Sequence, residues 1–133
     1  MKKEIILEKY PVVTLHIGKD ECICDSADAV IGYFKERIEQ DPIAAYIGTF
    51  DHYAHTKAIG GEIDPQIRAA SNIIFCFGPK LPDARMLALR PRSIGVAETE
   101  TAFIVTFLEA PMQPMHEKME SWAKQLTLKG QTC

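Results

Sequence analysis

The chain has 133 residues, 47% of them hydrophobic and 25% charged, which suits one globular domain of ordinary size with a real core. Its net charge of −3 with histidine neutral argues against non-specific binding to nucleic acid or an anionic membrane, because both need a basic surface. The N-terminal apolar triplet Ile5-Ile6-Leu7 is cut off by Glu8 and Lys9, too short for a signal peptide or for a span of about 20 apolar residues, so a cytoplasmic location is expected.

Residues Glu4 to Ile17 read as one extended run. Val12, Val13, Thr14, Leu15 and Ile17 favour a strand, and Pro11 marks a bend or edge near its start. Gly18 to Glu21 form a turn. Asp25 or Ser26 offers a helix N-cap and Asp28 puts negative charge in the first turn. Ala27, Val30, Ile31, Phe34 and Ile38 follow at helical spacing, and Asp41-Pro42 stops the helix. Ile43 to Phe50 reads as a second strand. Asp51 caps a short helical turn through Lys57, which Gly60-Gly61 ends.

Ala69 to Phe77 reads as a strand apolar on both faces, hence central in a sheet. Leu81 to Leu89 fits a short helix or an extended segment equally. Ser93 to Ala97 and Ala102 to Leu108 form a hairpin around Glu98 to Thr101. Pro111 and Pro114 introduce a last helix with Met115, Met119, Trp122, Ala123 and Leu126 as its apolar stripe. The order is strand, helix, three to four strands, helix. That predicts a single α+β domain over residues 1–133: one mostly antiparallel sheet with its helices packed on one face. Phe75, Phe77, Phe103, Val105, Phe107 and Trp122 are expected in one core.

The segments Phe50-Asp51-His52 and Phe75-Cys76-Phe77-Gly78-Pro79-Lys80 resemble motifs of the bacterial domain-of-unknown-function family three hundred and two, of TBP-like fold. The likeness runs roughly from Ala45 to Pro111. It departs where no Asn stands between Gly78 and Pro79, and where Leu81 to Ser93 looks short. It implies the same α+β layout and brings no activity with it.

Three groups of residues carry candidate chemistry. His52 and His55 stand three apart, so a helical turn puts both on one side, and Cys76 on a neighbouring strand completes a set suited to zinc or copper. The plainer reading is that Asp51 caps the turn and His52 bonds nearby. Cys22-Ile23-Cys24 precedes a helix N-terminus, whose dipole lowers a thiol pKa, but incidental thiols are the preferred reading. All four cysteines, Cys133 included, are expected free, with the terminal one disordered. Arg90 and Arg92 flank Pro91, with Arg85 and Lys80 nearby. In an extended segment the two arginines share a face and can fork a carboxylate, sulfate or phosphate. The preferred reading there is a basic rim answering Glu98, Glu100 and Glu109. Met86, Met112, Met115 and Met119 are assigned to packing rather than soft-metal ligation, on the helical spacing of the last three. No glycine-rich phosphate loop and no nucleophile-elbow serine occurs.

Three functions stay open on these residues. The leading one is a small-molecule or ion-binding protein, taking a small anion or metal ion near His52, His55 and Cys76, with Arg90 and Arg92 as an anion clamp. The second is a thiol- or sulfur-transfer enzyme using Cys76 or His52. The third is a homodimeric assembly module, joined by an edge strand or a helix face.

Overall fold

The computed structural model describes residues 1–128 and 130–133. The first extended run is two strands. Lys2–Ile6 forms β1 and Tyr10–Gly18 forms β2, paired antiparallel from Ile6↔Tyr10 to Lys2↔Thr14. Between them Leu7 and Glu8 take positive φ (49° and 63°), and the Lys9 amide donates to the Ile6 carbonyl at 3.2 Å. Two positive-φ residues are the mark of a primed hairpin turn, usually written with Gly or Asn. Leu and Glu here give no such signal, so a single strand was expected.

Ala27–Gln40 forms α1. Ser26 is its N-cap and accepts from the Ala29 amide at 3.0 Å. Its stripe, Val30, Phe34 and Ile38, is completely buried, and Tyr33 joins it, with its hydroxyl donating to the Trp122 carbonyl at 2.7 Å. Asp41 ends the helix and binds twice: it accepts from the Ile43 amide at 2.9 Å and from Lys118 at 2.8 Å. Ala44–Asp51 is β3, His52–Ala58 is α2 and Ala69–Phe77 is β4. Ala84–Leu89 is a 3-10 turn with Asp83 as its cap, which settles that ambiguous segment. Arg92–Glu98 is β5, Ala102–Leu108 is β6 and Gln113–Lys124 is α3.

The strands make one antiparallel sheet in the order β1-β2-β6-β5-β4-β3, with α1 crossing behind it from β2 to the far edge. The α+β layout read from the sequence is therefore the fold. β4 is interior but second from the edge rather than central. α1 and α3 cover one face. Phe75, Phe77, Phe103, Val105, Phe107 and Trp122 are all buried there. The Trp122 ring stacks on Phe77 at 5.8 Å between centroids, and Phe75 meets it edge-on at 6.0 Å.

The tail overturns one expectation. Cys24 and Cys133 form a disulfide, with Cα atoms 5.2 Å apart across a separation of 109 residues. Cys22 and Cys76 are free. After α3 the chain turns back along α1. The Ile23 amide donates to the Leu126 carbonyl at 2.9 Å, Leu126 is fully buried, and Arg37 donates to Gln131 at 3.1 Å. These contacts hold the terminal cysteine beside residue 24, so cysteine spacing alone gave no hint of the pairing. Among the described residues no helix is long and apolar enough to cross a membrane.

Candidate functional site

His52 and His55 lie on α2, the short helix that follows β3. Asp51 accepts from the Ala54 amide at 2.8 Å and caps α2. Both imidazoles lie against Phe50, at 4.7 Å for His52 and 5.4 Å for His55 between centroids. Cys76 does not join them. It pairs with Ala45 at the start of β3, while His52 follows Asp51 at the end of it. Most of the 8-residue strand separates them, on the order of 20 Å at about 3.3 Å per residue, far beyond metal–ligand bonds of about 2.0–2.3 Å. The expected metal set of His52, His55 and Cys76 is not assembled, and among the described residues no three His, Cys, Asp or Glu side chains could hold a metal ion. The Cys76 thiol donates to the Phe77 carbonyl at 3.6 Å on the sheet face away from α1 and α3. Burial pushes the Cys22 thiol up, although a hydrogen bond with the Cys24 backbone lowers it. That net shift is the reverse of what a reactive thiol needs.

The arginines are brought together. Arg92 opens β5 opposite Phe75, so it points to the same side as Ile94 and Val96, under the helices. Arg90 precedes it in extended backbone, φ −127° and ψ 149°. Both line one cavity of about 310 Å³, where β4, the 3-10 turn and the entrance of α3 meet. Phe77, Met86, Leu89, Pro111, Met112 and Met115 make its apolar wall, and Lys80 adds a third cation. No Asp or Glu lines it among the described residues. The methionine assignment changes here: Met119 is core, but Met112 is 54% exposed and walls this cavity.

The acids expected to answer the arginines go elsewhere. Glu98 pairs with Lys19 at 3.0 Å, Glu109 with Lys3 at 2.6 Å, and Glu100 with Arg68 at 3.8 Å. Arg90 donates to the Lys80 carbonyl at 2.8 Å and Arg92 to the Leu108 carbonyl. Neither enters an ion pair among the described residues. The Arg92 Nε is buried without a hydrogen-bond partner, and burial pushes its guanidinium below the ordinary value. An arginine stays charged under such a shift. A cation removed from water without a counter-charge favours an anion beside it.

His116 escaped the sequence reading. It is buried, accepts from the Ala110 amide at its Nδ1 (3.2 Å) and meets Glu120 at 2.8 Å through Nε2. The Nδ1 that accepts is unprotonated, so the proton sits on Nε2, facing the carboxylate. This clasp fixes Ala110 and Pro111, two wall residues of the cavity. The His-x-x-x-Glu spacing on the last helix was the available signal.

The fold has a solved counterpart. An uncharacterised conserved protein of the family DUF302 from Bacillus stearothermophilus superposes with a TM-score of 0.69 at 7% identity, covering 86% of this chain and 97% of that one. The likeness to that family, expected from the Phe50 and Phe75 segments, is thus present in the architecture. No curated protein matches the chain. The model of the family of unknown function DUF6858 matches residues 1–128, and the chain belongs to that family.

Proposed function

We propose that the protein binds a small organic anion with an apolar body in the Arg90–Arg92 cavity. The observation that carries this is the absence of any acid among the described lining residues, beside two guanidinium groups that have no ion-pair partner. The apolar wall desolvates the ligand body, and the arginines fix its charged head by fork-like hydrogen bonds. At about 310 Å³ the cavity lies at the small end of ligand sites, which favours a short chain or a single ring system over a nucleotide. Met86, Met112 and Met115 give it a wall that adapts in shape.

The test compares three probes by titration calorimetry and by displacement of anilinonaphthalene sulfonate: octanoate, octanol and acetate. Octanoate is expected to bind saturably, with octanol and acetate each weaker by about tenfold or more, since each lacks one half of the recognition. Octanol binding as tightly as octanoate would remove the anion from the proposal. Probe binding that persists unchanged in a folded double variant, Arg90→Met with Arg92→Met, would remove the site.

A further inference from the structure

We propose that Cys133 is a thiol-exchange site, and that the segment carrying it is a strap locked across α1 by the Cys24–Cys133 disulfide and released by a dithiol reductant. Gln125–Thr127 turn the chain back in a 3-10 turn, where Leu126 is fully buried. Beyond that anchor the hold is slight. Leu128 is 49% exposed, and Gln131, Thr132 and Cys133 are exposed. Among the described residues, one side-chain hydrogen bond, from Arg37 to Gln131 at 3.1 Å, and one covalent bond, the bridge, join this stretch to the rest of the fold. A single exposed hydrogen bond does not offset the conformational entropy of ordering several residues. The bridge is therefore what keeps the strap down.

The two sulfurs are unequally accessible. Both lie against the Ala29 carbonyl in the first turn of α1, Cys24 at 3.7 Å and Cys133 at 3.4 Å. Cys24 is 2% exposed, whereas Cys133 is open to solvent. An incoming thiolate thus reaches the Cys133 sulfur. Attack there forms a reductant–Cys133 disulfide and breaks the Cys24–Cys133 bond. The electron pair leaves on Cys24, which takes a proton from water. The reductant's second thiolate then attacks its own bridged sulfur and expels Cys133, which is protonated in turn. The dithiol is oxidised to a disulfide and the bridge is reduced to its pair of thiols. Cys22 stays out of the exchange: it accepts from the Cys24 amide, but burial raises its pKa and keeps it a thiol.

Release changes what α1 presents. Arg37 lies about two turns along the helix from Ala29. Its guanidinium sits 4.7 Å over the Tyr33 ring, and its Nε is buried without a partner. It enters no ion pair among the described residues, and Gln131 of the strap is its hydrogen-bond partner. With the strap away, this cation is free to take an anionic group, so reduction uncovers a guanidinium that the oxidised form keeps covered.

The full chain is compared in three forms: oxidised, reduced with dithiothreitol that is then removed, and as a Cys133→Ser variant. Circular dichroism is expected to show one fold in all three. Hydrogen exchange over residues 130–133, including the Gln131 amide that donates to the Leu128 carbonyl at 3.3 Å, should be faster by more than about tenfold in the reduced chain and in the variant. Phenylglyoxal should modify Arg37 faster in those two forms, while Arg68, which pairs with Glu100, reacts alike in all three. Glutathione added to the oxidised chain and quenched early with acid should be found by mass spectrometry on Cys133 and not on Cys24. Four free thiols in folded protein isolated without reductant, glutathione on Cys24, unfolding of the chain on reduction, or exchange and Arg37 modification unchanged once the bridge is open would each overturn the proposal.

Discussion

Replacing Arg92 with Met separates a binding role from a structural one. The substitution keeps a long apolar stem on the helix-covered side of β5 and removes the guanidinium. Lost is one hydrogen bond from a charged donor to the Leu108 carbonyl, worth about 1.5–3 kcal/mol. Relieved is the desolvation of a half-buried cation whose buried Nε has no partner, a cost of about 1–3 kcal/mol. The two nearly cancel, so stability should change by no more than about 1 kcal/mol, or about 3–5 °C in Tm for a chain of this size. Octanoate affinity should fall by about 10- to 100-fold, as one of two charged contacts disappears. Thermal unfolding followed by circular dichroism, with calorimetric titration on the same samples, reads both quantities. A loss of more than about 3 kcal/mol with unchanged affinity of the folded protein would refute the reasoning, because Arg92 would then be a brace for the β5–β6 end.

Three other outcomes are expected. Truncating Phe75 to Ala should cost about 3–5 kcal/mol in chemical denaturation, since it is completely buried between Phe77 and Trp122; a loss under about 1 kcal/mol would contradict the packing described. Cys24→Ser should destabilise the oxidised protein by about 2–4 kcal/mol through the long loop the bridge closes, and adding reductant should shift the unaltered chain but not the variant. Glu98 supplies pH dependence. Its burial raises the carboxyl, but hydrogen bonds from Lys19 and the Ala27 amide outweigh that and hold it below the ordinary value. A carboxyl depressed on folding contributes stability above its unfolded pKa of about 4.3, and this is lost as pH falls through the folded value. Glu98→Gln should flatten the stability profile below about pH 5, and an unchanged acid limb would show that Glu98 is not its source.

The elements of this fold were largely legible in the sequence because local rules agree over most of the chain. Ser26 and Asp51 cap the helices they precede, the α1 and α3 stripes repeat at 3.6 residues, and the runs ending at Phe77 and Leu108 are strands. Failure came where a local rule was broken: Leu7 and Glu8 occupy turn positions that Gly or Asn usually fill. The site was less legible, because it depends on which ends of which strands coincide. His52 and His55 are close in sequence and both rest on Phe50, whereas Cys76 is set apart from them by the β3–β4 register. Arg90 and Arg92 lie close in sequence, but their importance depends on Glu98, Glu100 and Glu109 pairing with Lys19, Arg68 and Lys3. Sequence determines local periodicity and capping, which act over a few residues. Strand register, the Cys24–Cys133 bridge and the pairing of charges act between residues far apart in the chain, and only the packed tertiary structure decides them.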